Sequence, residues 1–265
     1  MKKIIILVSL VTLFSSIYGL PDQNNQKIEL SIKRIPQPDG SSCGPASLKI
    51  ALSAFGDDRS TTDIVKLITL YKGIGSYDSH VAIAAMELGY TPVIYSFNRR
   101  IFHPKWNNLS AGDLLEKLRL KRDKIKASML KPDSDKVQLR KDLISTEGYI
   151  SFMEHRGEIK LPPLSKDLII NHLKKGEPVI AALDMSYLYE SVIYEDDDFD
   201  PNHTTHFVVI YGYDPATNDF NVADPWYKIP LQNTNGLYVR NADFIVNAIL
   251  HADFTNDADI IVIKK

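Results

Sequence analysis

Apolar and polar positions alternate along this chain in two periods. Four stretches read as strands: Thr91 to Phe97, Pro178 to Asp184, His206 to Tyr213 and Asp219 to Ala223. The first of them alternates as a half-buried strand does; the second is a continuous apolar run. A further strand is expected at Asp259–Ile263, and a short one at Ile28–Ile32. Helical spacing predicts elements from Cys43 to Gly56, Ser60 to Tyr71, Ser79 to Leu88, Ala111 to Met129, Val137 to Phe152, Ser165 to Lys175 and Asn241 to Leu250. Gly56, Gly89 and Gly176 stand where three of these helices should stop, and Ser60 or Thr61 and Ser165 stand where two should start. Pro215–Asn218 reads as the turn of a hairpin between the third and fourth strands. Helices come first and most strands come late, which predicts an α+β fold with N-terminal helices packed on an antiparallel sheet.

Two segments break this pattern. Lys2 and Lys3 precede an apolar run from Ile4 to Phe14, followed by Ser15, Ser16 and Gly19. A basic start, a short apolar core and a small-residue end define a secretory signal peptide, so cleavage is expected after Gly19. The run is too short for a membrane span of ~20 residues; an uncleaved anchor is the rival. No cysteine stands directly after it to take a lipid. Residues 20–265 then fall within the range of one α/β domain, with no stable membrane insertion once the signal is cut. The second segment, residues 98–164, is rich in Lys, Arg, Asp and Glu and reads as a charged helical insertion. It is either a flap over a cleft or a solvated face that only packs.

Charge excludes one class of partner. The formal net charge is −2, and −4 once Lys2 and Lys3 are removed, which does not suit a nucleic-acid binder. The run Glu195, Asp196, Asp197, Asp198, Asp200 lacks the spaced ligands and turn glycine of an EF-hand. A solvated loop is the expectation there; beside a cleft it would favour cationic substrates. No metal or other cofactor is expected.

Cys43 is the single cysteine. In an exported chain it cannot form an internal disulfide, so it is a buried structural thiol, an intermolecular bridge or a nucleophile. Its neighbours favour the third. Pro45 suits the first turn of a helix, which puts Cys43 at or just before a helix N-terminus. Backbone N–H groups there stabilise a thiolate. A neighbouring imidazole can take the thiol proton, and His206 opens an apolar strand. An acceptor must hold that imidazole in one tautomer. The hairpin sets the start of its first strand beside the end of its second, which brings Asp224 to His206. The oxyanion formed on attack needs donors aimed at it. The Cys43 N–H is one, and the Gln37 side-chain amide, stiffened between Pro36 and Pro38, is the other.

Each residue has a plainer reading: His206 as a strand histidine, Asp224 as a turn cap before Pro225. His203 is the alternative base, in a Pro/Asn-rich loop. His80 is expected to be structural or exposed. Trp226 and Tyr227 line a groove or fill the core.

The run Gln37, Cys43-Gly44-Pro45-Ala46-Ser47-Leu48, then His206-Phe207-Val208-Val209 leading to Gly212-Tyr213-Asp214, then Asp224-Pro225, resembles the papain-like cysteine peptidase domain of bacteriocin-processing, double-glycine-leader transporters and its stand-alone relatives. The resemblance implies Cys43 as nucleophile, His206 as general base and acid, Asp224 as orienter and Gln37 as oxyanion donor, with a peptide or protein as substrate. This chain departs from the family in three ways. His206 follows Cys43 by 163 residues, largely because of the charged segment. The 265 residues hold no nucleotide-binding loop and no transporter membrane domain. Export also differs from a cytoplasmic setting, so the double-glycine specificity is not implied. The expected activity is that of an exported cysteine peptidase or amidase. The alternatives are an acyltransferase using the same thioester, as in phytochelatin synthase and transglutaminases, or a non-catalytic peptide-binding module.

Overall fold

The computed structural model describes residues 26–71, 75–190, 204–226, 228–231, 235–255 and 258–265. The expected signal peptide, the acidic 195–200 run, His203 and Tyr227 lie outside the described residues. Eight strands form one sheet: β1 (Ile28–Glu29), β2 (Val93–Ser96), β3 (Glu158–Lys160), β4 (Val179–Asp184), β5 (Thr205–Asp214), β6 (Asp219–Ala223), β7 (Leu237–Asn241) and β8 (Asp259–Val262). The order is β3-β2-β8-β4-β5-β6-β7, and β1 pairs with the far end of β5. All pairs are antiparallel except β2 with β3. The helices are α1 (Cys43–Ser53), α2 (Thr61–Leu67), α3 (Asp78–Glu87), α4 (Ala111–Met129), α5 (Lys136–Glu154), α6 (Lys166–Leu173), α7 (Met185–Tyr189) and α8 (Ala242–His251). This is the α+β layout expected from the element order, with helices on both faces of the sheet.

The sheet separates two apolar layers, and strand alternation assigns each side chain to one of them. On β5, Phe207 and Val209 join the layer with α1, α3 and α5, while Val208 and Ile210 join the layer with α6, α7 and α8. Ile180 and Ala182 on β4 follow the first set, and Val179, Ala181 and Leu183 the second. Central strands covered on both faces read as continuous apolar runs, which is the character of Val179–Leu183 and Phe207–Tyr211. Each large side chain buried this way is worth about 1.5–3 kcal/mol.

Four elements depart from the sequence reading. The second helix ends at Leu67 rather than Tyr71. Ile68 is extended, at φ −108° and ψ 125°, because the Tyr71 N–H donates to the Gly75 carbonyl at 2.7 Å and the Gly75 N–H to the Tyr71 carbonyl at 2.9 Å. A tertiary bridge outweighs a helical pattern there. Strands β3 and β7 and helix α7 carry no strong local pattern; pairing with β2, with β6 and against α8 makes them.

Residues 98–164 hold α4 and α5 packed against each other, and α5 packs on α3. The segment's exposed large apolar side chains are Leu120, Leu130 and Val137. The second half of α5 is different. Tyr149, Ile150 and Phe152 are buried in the main layer, and the Tyr149 hydroxyl donates to the carboxyl of Asp259 on β8. Asp78, at the start of α3, acts on the same carboxyl, and burial raises the Asp259 pKa. The segment thus supplies part of the core and, through β3, the edge of the sheet.

Candidate active site

Cys43 is the first residue of α1, preceded by Ser42 as N-cap. The first N–H groups of a helix have no intrahelical acceptor. Ser42 does not cap them. Its hydroxyl donates to Asp39 Oδ1 at 2.8 Å, and the Ser41 N–H donates to the same oxygen at 2.8 Å. Asp39 therefore folds the Pro-Asp-Gly loop back and leaves the helix start with its partial positive charge beside the thiol. Cys43 is half-buried and unbonded to another sulfur. The next residue must be small. A Cβ at Gly44 would stand 2.1 Å from Ser76 Oγ and 3.0 Å from Val81 Cγ2, so the segment before α3 presses on the helix start. The helix is tied to the sheet by the Ser47 hydroxyl, which donates to the Phe207 carbonyl at 2.9 Å. That bond sets α1 directly beside the strand carrying His206.

His206 is the second residue of β5, opposite Leu183 on β4. It is 2% exposed. Its Nε2 lies 2.8 Å from Asp224 Oδ1, leaving Nδ1 toward the thiol; Cys43 stands within hydrogen-bond reach of the ring. The Tyr189 and Trp226 rings flank it at centroid distances of 6.5 and 6.3 Å. Burial works to lower the His206 pKa, but the Asp224 carboxylate and Cys43 outweigh it and push the pKa up to about 10.

Asp224 follows the last residue of β6, where the β5–β6 register, Val209 opposite Ala223, carries it to His206. It is fully buried. Oδ1 accepts from His206 and from the Trp226 N–H at 2.8 Å. Oδ2 accepts from the hydroxyls of Tyr189 and Tyr238, each at 2.8 Å. All four acceptor positions of the carboxylate are thus used. Burial alone would raise the Asp224 pKa; the His206 charge and these donors hold it below the ordinary carboxylate value. Burial and the nearby carboxylate push both tyrosines far above the usual phenol range, so they stay protonated as donors.

The loop holding Asp224 is clamped. Arg34 Nε donates to the Asp224 carbonyl at 3.1 Å and Nη2 to the Trp226 carbonyl at 2.9 Å. Gly236, at φ 89°, lies so close that a Cβ would stand 2.2 Å from Arg34 Nε. The Gln37 N–H donates to the Pro225 carbonyl at 2.7 Å. Gln37 is buried, its Nε2 donates to the Asp39 carbonyl at 2.6 Å, and its Oε1 has no hydrogen-bond partner among the described residues. Through Pro225 and Asp39, Gln37 is fixed between the Asp224 loop and the turn that leads into Cys43.

The structure therefore brings Cys43, His206 and Asp224 together and anchors Gln37 beside them. His80 is elsewhere, on α3 against Tyr71 and Tyr77, with its pKa lowered by burial. Trp226 borders His206 and packs on the second layer. Sequence reasoning missed Arg34, Tyr189 and Tyr238. Nothing distinguishes two tyrosines among 13; the only available signal was that a buried carboxylate needs more donors than one histidine supplies. Among the described residues, no group of three or more His, Cys, Asp or Glu converges to hold a metal ion, and no helix is long and apolar enough to cross a membrane. Two surface cavities, of about 360 and 510 Å³, are lined by residues such as Phe97 and Leu161, and Tyr71 and Arg140, rather than by the Cys–His–Asp group.

Residues 141–241 match the Peptidase_C39 like family. That span contains Tyr189, His206, Asp224 and Tyr238 and stops short of Gln37 and Cys43. No curated protein matches the chain. Among solved structures, it is similar to the peptidase domain of Streptococcus ComA, a bi-functional ABC transporter involved in a quorum-sensing pathway. The identity is 13%, over 88% of this chain and 97% of that one, with a TM-score of 0.42. It is also similar to a double glycine motif protease from an AMS/PCAT transporter, in complex with the leader peptide. There the identity is 13%, over 90% of this chain and 97% of that one, with a TM-score of 0.41.

Proposed function

We propose that this chain is an exported, papain-like cysteine peptidase or amidase that cleaves its substrate through an acyl-thioester on Cys43. The observation that carries the reading is the buried His206, held by Asp224 on one ring nitrogen and facing Cys43 with the other. The family match over residues 141–241 supports a cysteine-peptidase chemistry for the half of the site it covers.

The geometry supports a two-step reaction through a thioester. His206 takes the Cys43 proton, and the pair rests as thiolate and imidazolium beside Asp224. The sulfur attacks the substrate carbonyl carbon and forms a C–S bond. The carbonyl oxygen takes the negative charge, and its donors are the Cys43 N–H and the second N–H of the Gln37 amide, whose first is given to the Asp39 carbonyl. The C–N bond breaks, and the His206 proton goes to the leaving amine. Water then gives its proton to His206, its oxygen attacks the thioester carbon, and the C–S bond breaks to release the acid and restore the thiolate–imidazolium pair. Export is supported by the Lys2-Lys3 start and the apolar run after it.

The test is alkylation of Cys43 followed by mass spectrometry from pH 4 to 9, with a peptide-library digest in parallel. The proposal expects labelling well below the free-thiol pKa of about 8.5, loss of that labelling in His206→Ala, and no cleavage by Cys43→Ala. A Cys43→Ala chain that still cleaves peptides would overturn it.

A further inference from the structure

Resting on that reading, we propose that Tyr189 and Tyr238 are positioning residues of the site: their hydroxyls hold the Asp224 carboxylate ionised and in line with His206. The two tyrosines come from different elements, α7 and β7, and reach the same oxygen, Oδ2, at 2.8 Å each. Both hydroxyls bond the carboxylate, and neither shows a hydrogen bond to the thiol, although the Cys43 charge also acts on Tyr189; both are therefore positioning residues. What they decide is the state of the carboxylate behind the imidazole. Asp224 is fully buried, and a dry carboxylate pays a desolvation cost unless donors meet its charge. Oδ1 is served by His206 and the Trp226 N–H. Without the two phenols, Oδ2 has no donor among the described residues.

The arrangement also fixes direction. With Oδ2 pinned from both sides, the carboxylate cannot rotate about its Cβ–Cγ bond, and Oδ1 stays aimed at Nε2. That keeps Nδ1 facing Cys43. Other groups around the carboxylate act on it less directly. Arg34 bonds the backbone carbonyls of Asp224 and Trp226, not the carboxylate. Arg240, on β7 beside Tyr238, is paired with Glu190 and the Leu188 carbonyl.

The sign of the effect follows. Removing donors from an ionised carboxylate raises its pKa. An ionised Asp224 favours the Cys43 thiolate–imidazolium pair, so weakening that charge moves the acid limb of Cys43 reactivity to higher pH. The full-length chain is compared with Tyr189→Phe, Tyr238→Phe and the double variant, which keep both rings and their packing. Iodoacetamide labelling of Cys43 is measured from pH 3.5 to 9, with melting curves at each pH so that only folded chain is scored. Each single variant is expected to move the acid limb upward by about half a pH unit, and the double by about one. Added to Asp224→Asn, the same substitutions are expected to move it no further, because the hydroxyls act through that carboxylate.

An unchanged limb in the double variant, with the wild-type limb low, overturns the proposal while leaving the peptidase reading standing. A further shift on top of Asp224→Asn also overturns it, since the hydroxyls would then act by another route. A wild-type chain that labels only near the free-thiol pKa overturns both.

Discussion

At the residue scale, the site works as a graded set of charges. In the proposed reaction Cys43 supplies the bond-forming atom, His206 moves its proton, and Asp224 acts only through His206. Cys43→Ala is expected to abolish peptide cleavage without a change in fold. His206→Ala is expected to cost about 10²–10⁴-fold in kcat, the usual contribution of a positioned acid–base group. Asp224→Asn costs less, because a neutral acceptor still orients the ring. Steady-state rates on any cleaved peptide check the order. The same pair shapes stability. His206 is raised to about 10 in the folded chain, above its ordinary value of about 6.5. Its contribution is therefore fully present below pH 6.5 and is lost as the pH rises through about 10. Asp224 is lowered, so its contribution is present above its ordinary value and is lost as the pH falls through its folded one. Melting temperature should fall between pH 7 and 10 in the wild type and stay flatter over that range in Asp224→Asn; an equally steep fall in both would show that the pair does not stabilise the fold.

At the element scale, the start of α1 depends on one close approach. The Ser76 hydroxyl occupies the space beside Gly44. Gly44→Ala inserts a methyl where none fits, at a cost of about 1–3 kcal/mol, and displaces the helix start that carries Cys43. Adding Ser76→Ala removes the nearest atom and should restore part of both the melting temperature and the Cys43 labelling rate. No restoration would mean that the strain lies elsewhere. Much of this element was legible beforehand. Pro45 placed Cys43 at a helix start because a residue without an N–H costs nothing there, and the hairpin through Pro215–Asn218 placed Asp224 by His206 because antiparallel register is set by the turn. The Tyr71–Gly75 bridge was not legible, since it overrides a helical pattern through a contact that no local period encodes.

At the scale of the whole molecule, residues 98–164 divide into a tip and a root. The tip, around Leu130, is exposed, whereas Tyr149, Phe152 and Ile159 lie in the main apolar layer. Replacing residues 130–134 with a short Gly/Ser turn is expected to leave the melting temperature within a few degrees. Removing 98–164 entirely is expected to unfold the chain, because it takes β3 from the sheet edge and the Tyr149 hydroxyl from Asp259. Circular dichroism melts of the two deletions separate these outcomes.

Several features followed from the sequence alone: the order of the longer helices and the central strands, the helix start at Cys43 and the meeting of His206 with Asp224 across a hairpin. All rest on short-range rules of period, turn and cap. The tertiary structure alone decided which donors complete the Asp224 carboxylate, how Arg34 and Gln37 lock its loop, and how much of the charged segment belongs to the core. Those contacts join residues up to 192 positions apart. Their side chains carry no pattern of their own, and their partners are chosen only when the sheet and its two helical layers close.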